Sequence, residues 1–334
     1  MDKLDFSGIE VSAEELVVAL QRKGDRKALK TFPNTLPGHQ AIIRHLSAAG
    51  RTVRVCLEST GLYALDLALA LHRAGIQVMV ANPRAVRHFA EALMKRSKND
   101  RLDAGVLREF AARMPFQAWQ PPATAALQLH ALARRLQALT EMQTAEKSRL
   151  AAIQATATTP AALRRDLDRS LRSLRRSIAR LSGEAVKIID QDKELKLRFD
   201  LLLSVRGSIA ATSAIQILAE LAVVSPDLDV RQWGAYTGLD PRECSSGSSV
   251  HKKIRIRKAG NAHLRRALYR PALVAIRHQP HLRAQGKLKR VALVGVMRKL
   301  LHAIYGMFKH QKPFDGSKVY SLPSPKISTE EVAA

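Results

Sequence analysis

Two sets of residues in this chain have the types and spacing to do chemistry. Glu10, Glu58, Asp100 and Asp103 are candidate ligands for a hard divalent cation, and the run Cys244-Ser245-Ser246-Gly247-Ser248-Ser249 offers nucleophiles. Metal-assisted phosphoryl transfer needs oxygen ligands at short range that leave water on the ion. Two such ions can clamp the attacking and leaving oxygens of a displacement. Glu10 is expected to end the first strand, and Glu58 the apolar strand Val53 to Leu57. Asp100 and Asp103 are three apart and so share one face of a helical turn. Alone, each could be a surface acid and Asp100 reads best as a helix cap, the surface reading being weakest for Glu58, which follows directly on a buried strand; the joint pattern is what points to a cation. A serine attacking a phosphodiester leaves a phosphoserine and a free 3′-OH, and it must be activated by a base, a metal or neighbouring cations. His251, Lys252, Lys253, Arg255 and Arg257 follow the run directly and are placed to stabilise charge developing on phosphorus. The plainer reading of four serines and a glycine is a flexible loop.

The charge balance narrows the substrate class. Lys and Arg outnumber Asp and Glu by 55 to 29, for a formal charge of +26 and a sequence pI near 10.7. Such a field attracts polyanions and makes their binding strongly salt-dependent. A hydrophobic content of 46% is ample for burial. Neither a run near 18 apolar residues nor a signal core is read in the chain, so it is expected to be cytoplasmic with no membrane partner. Two cysteines, Cys56 and Cys244, exclude a disulfide framework. Aromatics are only 4% of the chain, so base stacking is not expected to dominate binding. Trp119 and Trp233 are expected to anchor cores, and His88, His130 and His263 to be ordinary surface or core histidines.

The elements that must position these groups change character along the chain. Strands are predicted over Gly8 to Val11, Leu16 to Leu20, Ala28 to Phe32, Thr52 to Leu57 and Ile76 to Ala81. Helices are predicted over Pro37 to Ala49, over Leu62 to Ala74, and from Pro83. That order is the order of an RNase H-like α/β domain. From Leu127 strand signals vanish. Leu167, Leu171, Leu174, Ile178, Leu181, Ala185 and Ile188 keep a 4-3 rhythm, the seam of a helical hairpin or of a coiled coil between subunits. Thr159 is a candidate cap for that helix. Arg165, Arg169, Arg172, Arg176 and Arg180 form a second stripe on it, which is either a solvated face or a nucleic-acid contact. Leu201 to Leu221 reads as two short helices around Arg206-Gly207, resembling a helix-hairpin-helix with Ile209 where a second glycine is usual. Pro271 is expected to kink or interrupt the helix that starts at Ala262. Arg265 and Arg266, near that start, are phosphate-contact candidates. A last helix is expected over Val291 to Phe308, and a loose tail from Lys312.

The motifs also resemble a known family, the transposases of insertion-sequence family 110, or Piv-type DEDD recombinases. The N-terminal marks are Gly8-Ile9-Glu10-Val11-Ser12, Leu57-Glu58-Ser59-Thr60-Gly61 and Lys98-Asn99-Asp100-Arg101-Leu102-Asp103-Ala104. The C-terminal marks are Tyr236 to Glu243, Ser245 to Ser249, Lys258-Ala259-Gly260-Asn261 with Leu264 to Leu268, and Val291 to Leu300. The resemblance implies a RuvC-like nuclease domain (1–125), a helical coiled-coil connector (126–198), a mostly helical transposase domain with the serine loop (199–312) and a tail (313–334). It implies Mg²⁺ held by Glu10, Glu58, Asp100 and Asp103, and Ser246 as nucleophile with Ser245 as the alternative. It further implies donor and target DNA, a noncoding guide RNA in some members, and a homodimer or homotetramer formed through the connector. Glu10 stands where the family usually carries Asp, which adds one methylene. The alternatives are a metal-only nuclease acting on branched DNA, and a catalytically inactive RNA- and DNA-binding relative.

Overall fold

A computed structural model describes residues 4–21, 28–48, 50–58, 61–94, 99–156, 158–242, 245–246, 250–251, 255–277 and 289–316. The chain divides into two compact units, Met1–Pro121 and Pro122–Ala334.

Unit 1 is built on one five-stranded sheet. Its strands are β1 (Leu4–Val11), β2 (Glu15–Gln21), β3 (Ala28–Pro33), β4 (Thr52–Glu58) and β5 (Gln77–Ala81), in the order β3-β2-β1-β4-β5. β2 runs antiparallel to β1 and β3, whereas β1, β4 and β5 are parallel. Side chains alternate between faces along a strand, and the two apolar sets cover both. Ile9, Val11, Val55 and Leu57 lie in one core with Ile42 and Leu46 of α1 (Leu36–Ser47) and Leu67 and Leu71 of α2 (Leu65–Arg73). Cys56, Met79 and Ala81 lie in the other with Val86 of α3 (Pro83–Ala92) and Leu107 and Phe110 of α4 (Asp100–Arg113). A mixed sheet in this order, with one antiparallel excursion and helices on both faces, is the RNase H-like α/β fold that the sequence predicts. The cap residues match the starts: Thr35 accepts from the Gly38 amide ahead of α1, and Asn82 from the Arg84 amide ahead of α3. Trp119 returns the chain to the sheet, its amide donating to the Val78 carbonyl at 2.6 Å and its ring lying edge-on to His72.

Unit 2 is helical. α5 (Thr124–Gln154) and α6 (Ala161–Gln191) pack on each other across a short turn, and helices this long joined so briefly can only run antiparallel. The seam therefore closes within one chain. Buried are Ala126, Leu129, Ala133, Leu136 and Leu139 of α5 and Leu167, Leu171, Leu174, Ala185 and Ile189 of α6. Ile189 rather than Ile188 ends the buried stripe, because a straight helix of 3.6 residues per turn drifts from a seven-residue repeat. Thr159 does not cap α6: Pro160 is at the cap position, and the Thr159 hydroxyl donates back to the Ile153 carbonyl of α5 at 3.0 Å.

The remaining helices are α7 (Lys193–Leu203), α8 (Ala211–Ala222), α9 (Val230–Thr237), α10 (Ala262–Arg277) and α11 (Lys289–His310). α7 and α8 flank the Arg206-Gly207 turn, with Gly207 at φ 76°. Ile209 is buried there, so the position wants an apolar side chain rather than a glycine. α10 runs through Pro271 without interruption. α11 is long and apolar enough, with a mean hydropathy of 1.4, to cross a membrane by length and composition, which the sequence reading did not expect. Its Leu301 and Ile304 are fully buried in the core of unit 2 beside Trp233. The chain beyond α11 is tied down as far as Phe314, whose amide donates to the Ser204 hydroxyl at 2.8 Å; the tail expected from Lys312 otherwise falls mostly outside the described residues.

Candidate active site

The register of the sheet sets the acids. Ile9 of β1 pairs with Leu57 of β4 in parallel. Glu10 and Glu58 are each the next residue, so they stand side by side on adjacent strands. Glu10 shares a strand face with Gly8, and Glu58 with Cys56; this is the face covered by α4. Both are half-buried, and the Oε2 atom of Glu10 is fully so.

α4 is laid along this face in a definite direction. Its Arg108 bonds Gln21, which pairs with Phe6 of β1. Its Ala104 packs against Val17, which pairs with Glu10. Moving from Arg108 back to Ala104 therefore moves along β1 from Phe6 towards Glu10. Continuing to Asp103 and Asp100 leads on in the direction of Glu10, one residue before the end of β1, and of Glu58, the last residue of β4. Gly8 permits the close approach: a Cβ there would overlap the Ala104 carbonyl oxygen and the Arg108 amide nitrogen. Asn99, not Asp100, caps the helix, its side chain accepting from the Leu102 amide at 2.8 Å. Asp100 and Asp103 in the first turn lie near the positive end of the helix dipole.

The donor set is all carboxylate, which suits a hard divalent ion. Among the described residues no three His, Cys, Asp or Glu side chains are grouped closely enough to hold one ion. The structure thus supplies a shared edge rather than a closed cage. Beneath Glu58 on the same face, Cys56 has its thiol pushed up to about 12 by burial and by the Glu58 charge.

Of the serine run only Ser245 and Ser246 are described; Cys244, Gly247, Ser248 and Ser249 lie outside the described residues. Pro241–Arg242 (β6) pairs antiparallel with Arg255–Ile256 (β9), and Ser245–Ser246 (β7) with Val250–His251 (β8). Ser245 lies opposite His251 and Ser246 opposite Val250. Ser246 is thus in the last described pair before the tip. Lys252 and Lys253 lie outside the described residues, and Arg255 is placed only by its backbone pairing with Arg242. Arg257 reaches Asp240 at 3.3 Å. Arg265 turns inward and donates to the Thr237 carbonyl at 2.6 Å, and Arg266 pairs with Glu141. Arg172 and Arg176 are exposed on α6 and enter none of the ion pairs found among described residues.

Comparison with known proteins places these motifs. The family model for DEDD transposases of the IS110 group, described as a transposase, matches residues 7–157, and that of the transposase IS116/IS110/IS902 family matches residues 200–287. The chain belongs to the insertion-sequence 110 family of transposases. The family's DEDD domain spans Glu10, Glu58, Asp100 and Asp103, and its second domain spans Ser245 and Ser246. The chain is 27% identical over 296 residues to the pilin gene-inverting protein of Moraxella bovis, covering 85% of this chain and 90% of that one. It is 28% identical over 272 residues to the pilin gene-inverting protein of Moraxella lacunata, covering 79% and 82%. A solved RuvC from Thermus thermophilus aligns at 17% identity with a TM-score of 0.27, covering 34% of this chain and 98% of that one. As a member of this family the chain is a DNA recombinase of the transposase class.

Sequence reasoning missed one cluster. Glu220 of α8 is buried among His130, Arg134, Tyr236 and Asn261. Burial raises its pKa, but hydrogen bonds from His130 and Asn261 and the Arg134 charge outweigh this and hold it below the usual carboxylate range. His130 and His263, expected to be ordinary, belong to this cluster; burial lowers the pKa of His263. The available signal was Glu220 itself, an acid inside the apolar run Ala214 to Ala222.

Proposed function

We propose that the chain excises and inserts a DNA element through two chemistries, a carboxylate-held Mg²⁺ site in unit 1 and a serine nucleophile in unit 2. The observation that supports this reading is the parallel ladder of β1 and β4, whose last pair, Ile9 with Leu57, makes Glu10 and Glu58 the next residues on adjacent strands, on the face covered by α4. Glu10, Glu58, Asp100 and Asp103 would hold the ion, which would neutralise charge on the scissile phosphate. The four acids come from two paired strands and one helix start, elements held by packing on both faces of the sheet. Ser246, or Ser245 beside it, attacks phosphorus; the serine O–P bond forms, the P–O3′ bond breaks, and the 3′ oxygen leaves with a proton. Arg255 and Arg257 on the returning strand, with Lys252 and Lys253, supply positive charge.

DNA binding follows from the net charge and from the exposed Arg172 and Arg176. A guide RNA and a dimer or tetramer assembled through the connector are inferred from the family resemblance, and the charge of +26 suits a protein holding two nucleic acids. Excision in cells carrying the element tests the reading. Amplifying the circular junction should give product with wild type and none with Ser246→Ala. A junction that persists in Ser246→Ala and in Ser245→Ala removes the serine step and leaves a metal-only nuclease.

A further inference from the structure

Glu220 is a carboxylate in the core of unit 2, only 1% exposed, that the proposed chemistry does not use. Arg134 Nε lies 2.7 Å from its Oε1 and Arg134 Nη2 donates to Oε2 at 3.1 Å. Asn261 Nδ2 donates to Oε2 at 2.6 Å, and His130 Nε2 lies 3.6 Å away. The carboxylate therefore joins α5, which carries His130 and Arg134, to the residue just before α10.

Asn261 closes the base of the serine hairpin. Its amide donates to the Tyr236 carbonyl at 2.7 Å, and its Nδ2 lies 2.9 Å from the Tyr236 hydroxyl. Its Oδ1 accepts from the amides of His263 at 3.0 Å and Leu264 at 2.9 Å, capping α10. Tyr236 and Asn261 thus bracket the segment 237–260, which contains Ser245 and Ser246. Two further rungs continue upward, from the Lys258 amide to the Gly238 carbonyl at 3.2 Å and from the Arg257 amide to the Asp240 carbonyl at 3.0 Å. Gly260, at φ 140°, packs so close that a Cβ would overlap the Tyr236 carbonyl oxygen. Glu220 grips this clasp from beneath.

Such a pair is a costly way to fill a core, because apolar residues of similar volume commonly hold a fold as well. We propose that Glu220 is a positioning residue: it fixes Asn261 and Tyr236, sets the orientation of the hairpin carrying Ser245 and Ser246, and links that orientation through Arg134 to the seat of α5. This rests on the reading of that hairpin as the source of the nucleophile.

The test compares full-length wild type, Glu220→Gln and the paired replacement Arg134→Met with Glu220→Leu, which removes the clasp without leaving an unpaired buried charge. Amide hydrogen exchange is followed at Lys258 and Asn261, together with DNA affinity and formation of the covalent protein–DNA adduct. In the paired variant, provided its melting temperature stays near wild type, exchange at both amides should rise about tenfold or more. Adduct formation should fall at least about tenfold while DNA affinity changes less than about twofold. If the paired variant unfolds early, Glu220→Gln supplies the same readouts with the side-chain shape kept. Unchanged exchange at Lys258 and Asn261 in a folded variant overturns the proposal, as does adduct formation at the wild-type rate. Ser245→Ala and Ser246→Ala tested in parallel separate the two ideas: if neither lowers adduct formation, the nucleophile reading has failed, while the exchange data still decide whether Glu220 holds the hairpin.

Discussion

Gly8 of β1 lies so close beneath Ala104 of α4 that a single added methyl would overlap the Ala104 carbonyl oxygen. This contact seats α4, with Asp100 and Asp103 in its first turn, on the sheet face that carries Glu10 and Glu58. Gly8→Ala should lift the helix off the sheet and spread the acids. We expect a loss of about 1–3 kcal/mol in stability, the usual cost of overpacking. Metal-dependent cleavage should fall more steeply than that loss predicts. Urea denaturation read beside strand cleavage, at a temperature where the variant is fully folded, checks both.

Glu10 occupies the position next to Glu58 through a longer side chain than the family usually has. Glu10→Gln keeps that length and removes the charge, and should lower Mg²⁺-dependent cleavage by about a hundredfold or more with DNA affinity little changed. Glu10→Asp should keep cleavage, because the strand positions and not the extra methylene set the site. If wild type is inactive and Glu10→Asp gains nothing, the chain is a binding relative without cleavage activity.

Cys56 gives the site a pH signature. Its thiol is raised from 9.0 to about 12, by burial first and by Glu58 second. The unfolded thiol ionises earlier than the folded one, so this group's contribution to stability is full below pH 9 and is lost as pH rises through about 12. Unfolding free energy should therefore drop between about pH 9 and about pH 12 by more in wild type than in Cys56→Ala. Equal drops in the two proteins would show that the thiol is not held neutral beneath Glu58.

Arg172 and Arg176 are one turn apart on the outer face of α6. Replacing both with Ala should weaken DNA or RNA binding without sequence preference. It should also reduce the slope of log affinity against log salt by about two for duplex DNA. An unchanged slope would return the stripe to a solvated face.

Much of the fold was legible in the sequence because unit 1 uses local signals. Short apolar runs became β1, β2, β4 and β5, and Pro37 and Pro83 fall in the first turns of α1 and α3. The acids were legible as strand ends and as an i, i+3 pair. What joins them was not. The direction of α4 follows from Gly8 and from Arg108 meeting Gln21, contacts between residues far apart in sequence that leave no local trace. Asn99 took the cap that Asp100 was also able to supply. The pairings of Pro241–Arg242 with Arg255–Ile256 and of Ser245–Ser246 with Val250–His251 left no trace in the sequence, because strands of two residues are too short for apolar alternation. Pro271 read as a breaker because the local cost of proline was weighed without the packing of Leu268, Ala272 and Ile276, which are buried in the core and hold α10 in place. Glu220 was hidden inside a run of apolar residues, and only the tertiary contacts with Arg134 and Asn261 show what it does.

The most direct test is to incubate the full-length protein with a DNA substrate carrying its element end and Mg²⁺, then digest the protein and locate the covalently modified peptide by mass spectrometry. The account predicts DNA attached at Ser246, or at Ser245 beside it, with the adduct lost in the matching Ala variant and in Glu58→Gln. Cleaved DNA with no attached peptide, in wild type and in both serine variants alike, would contradict it.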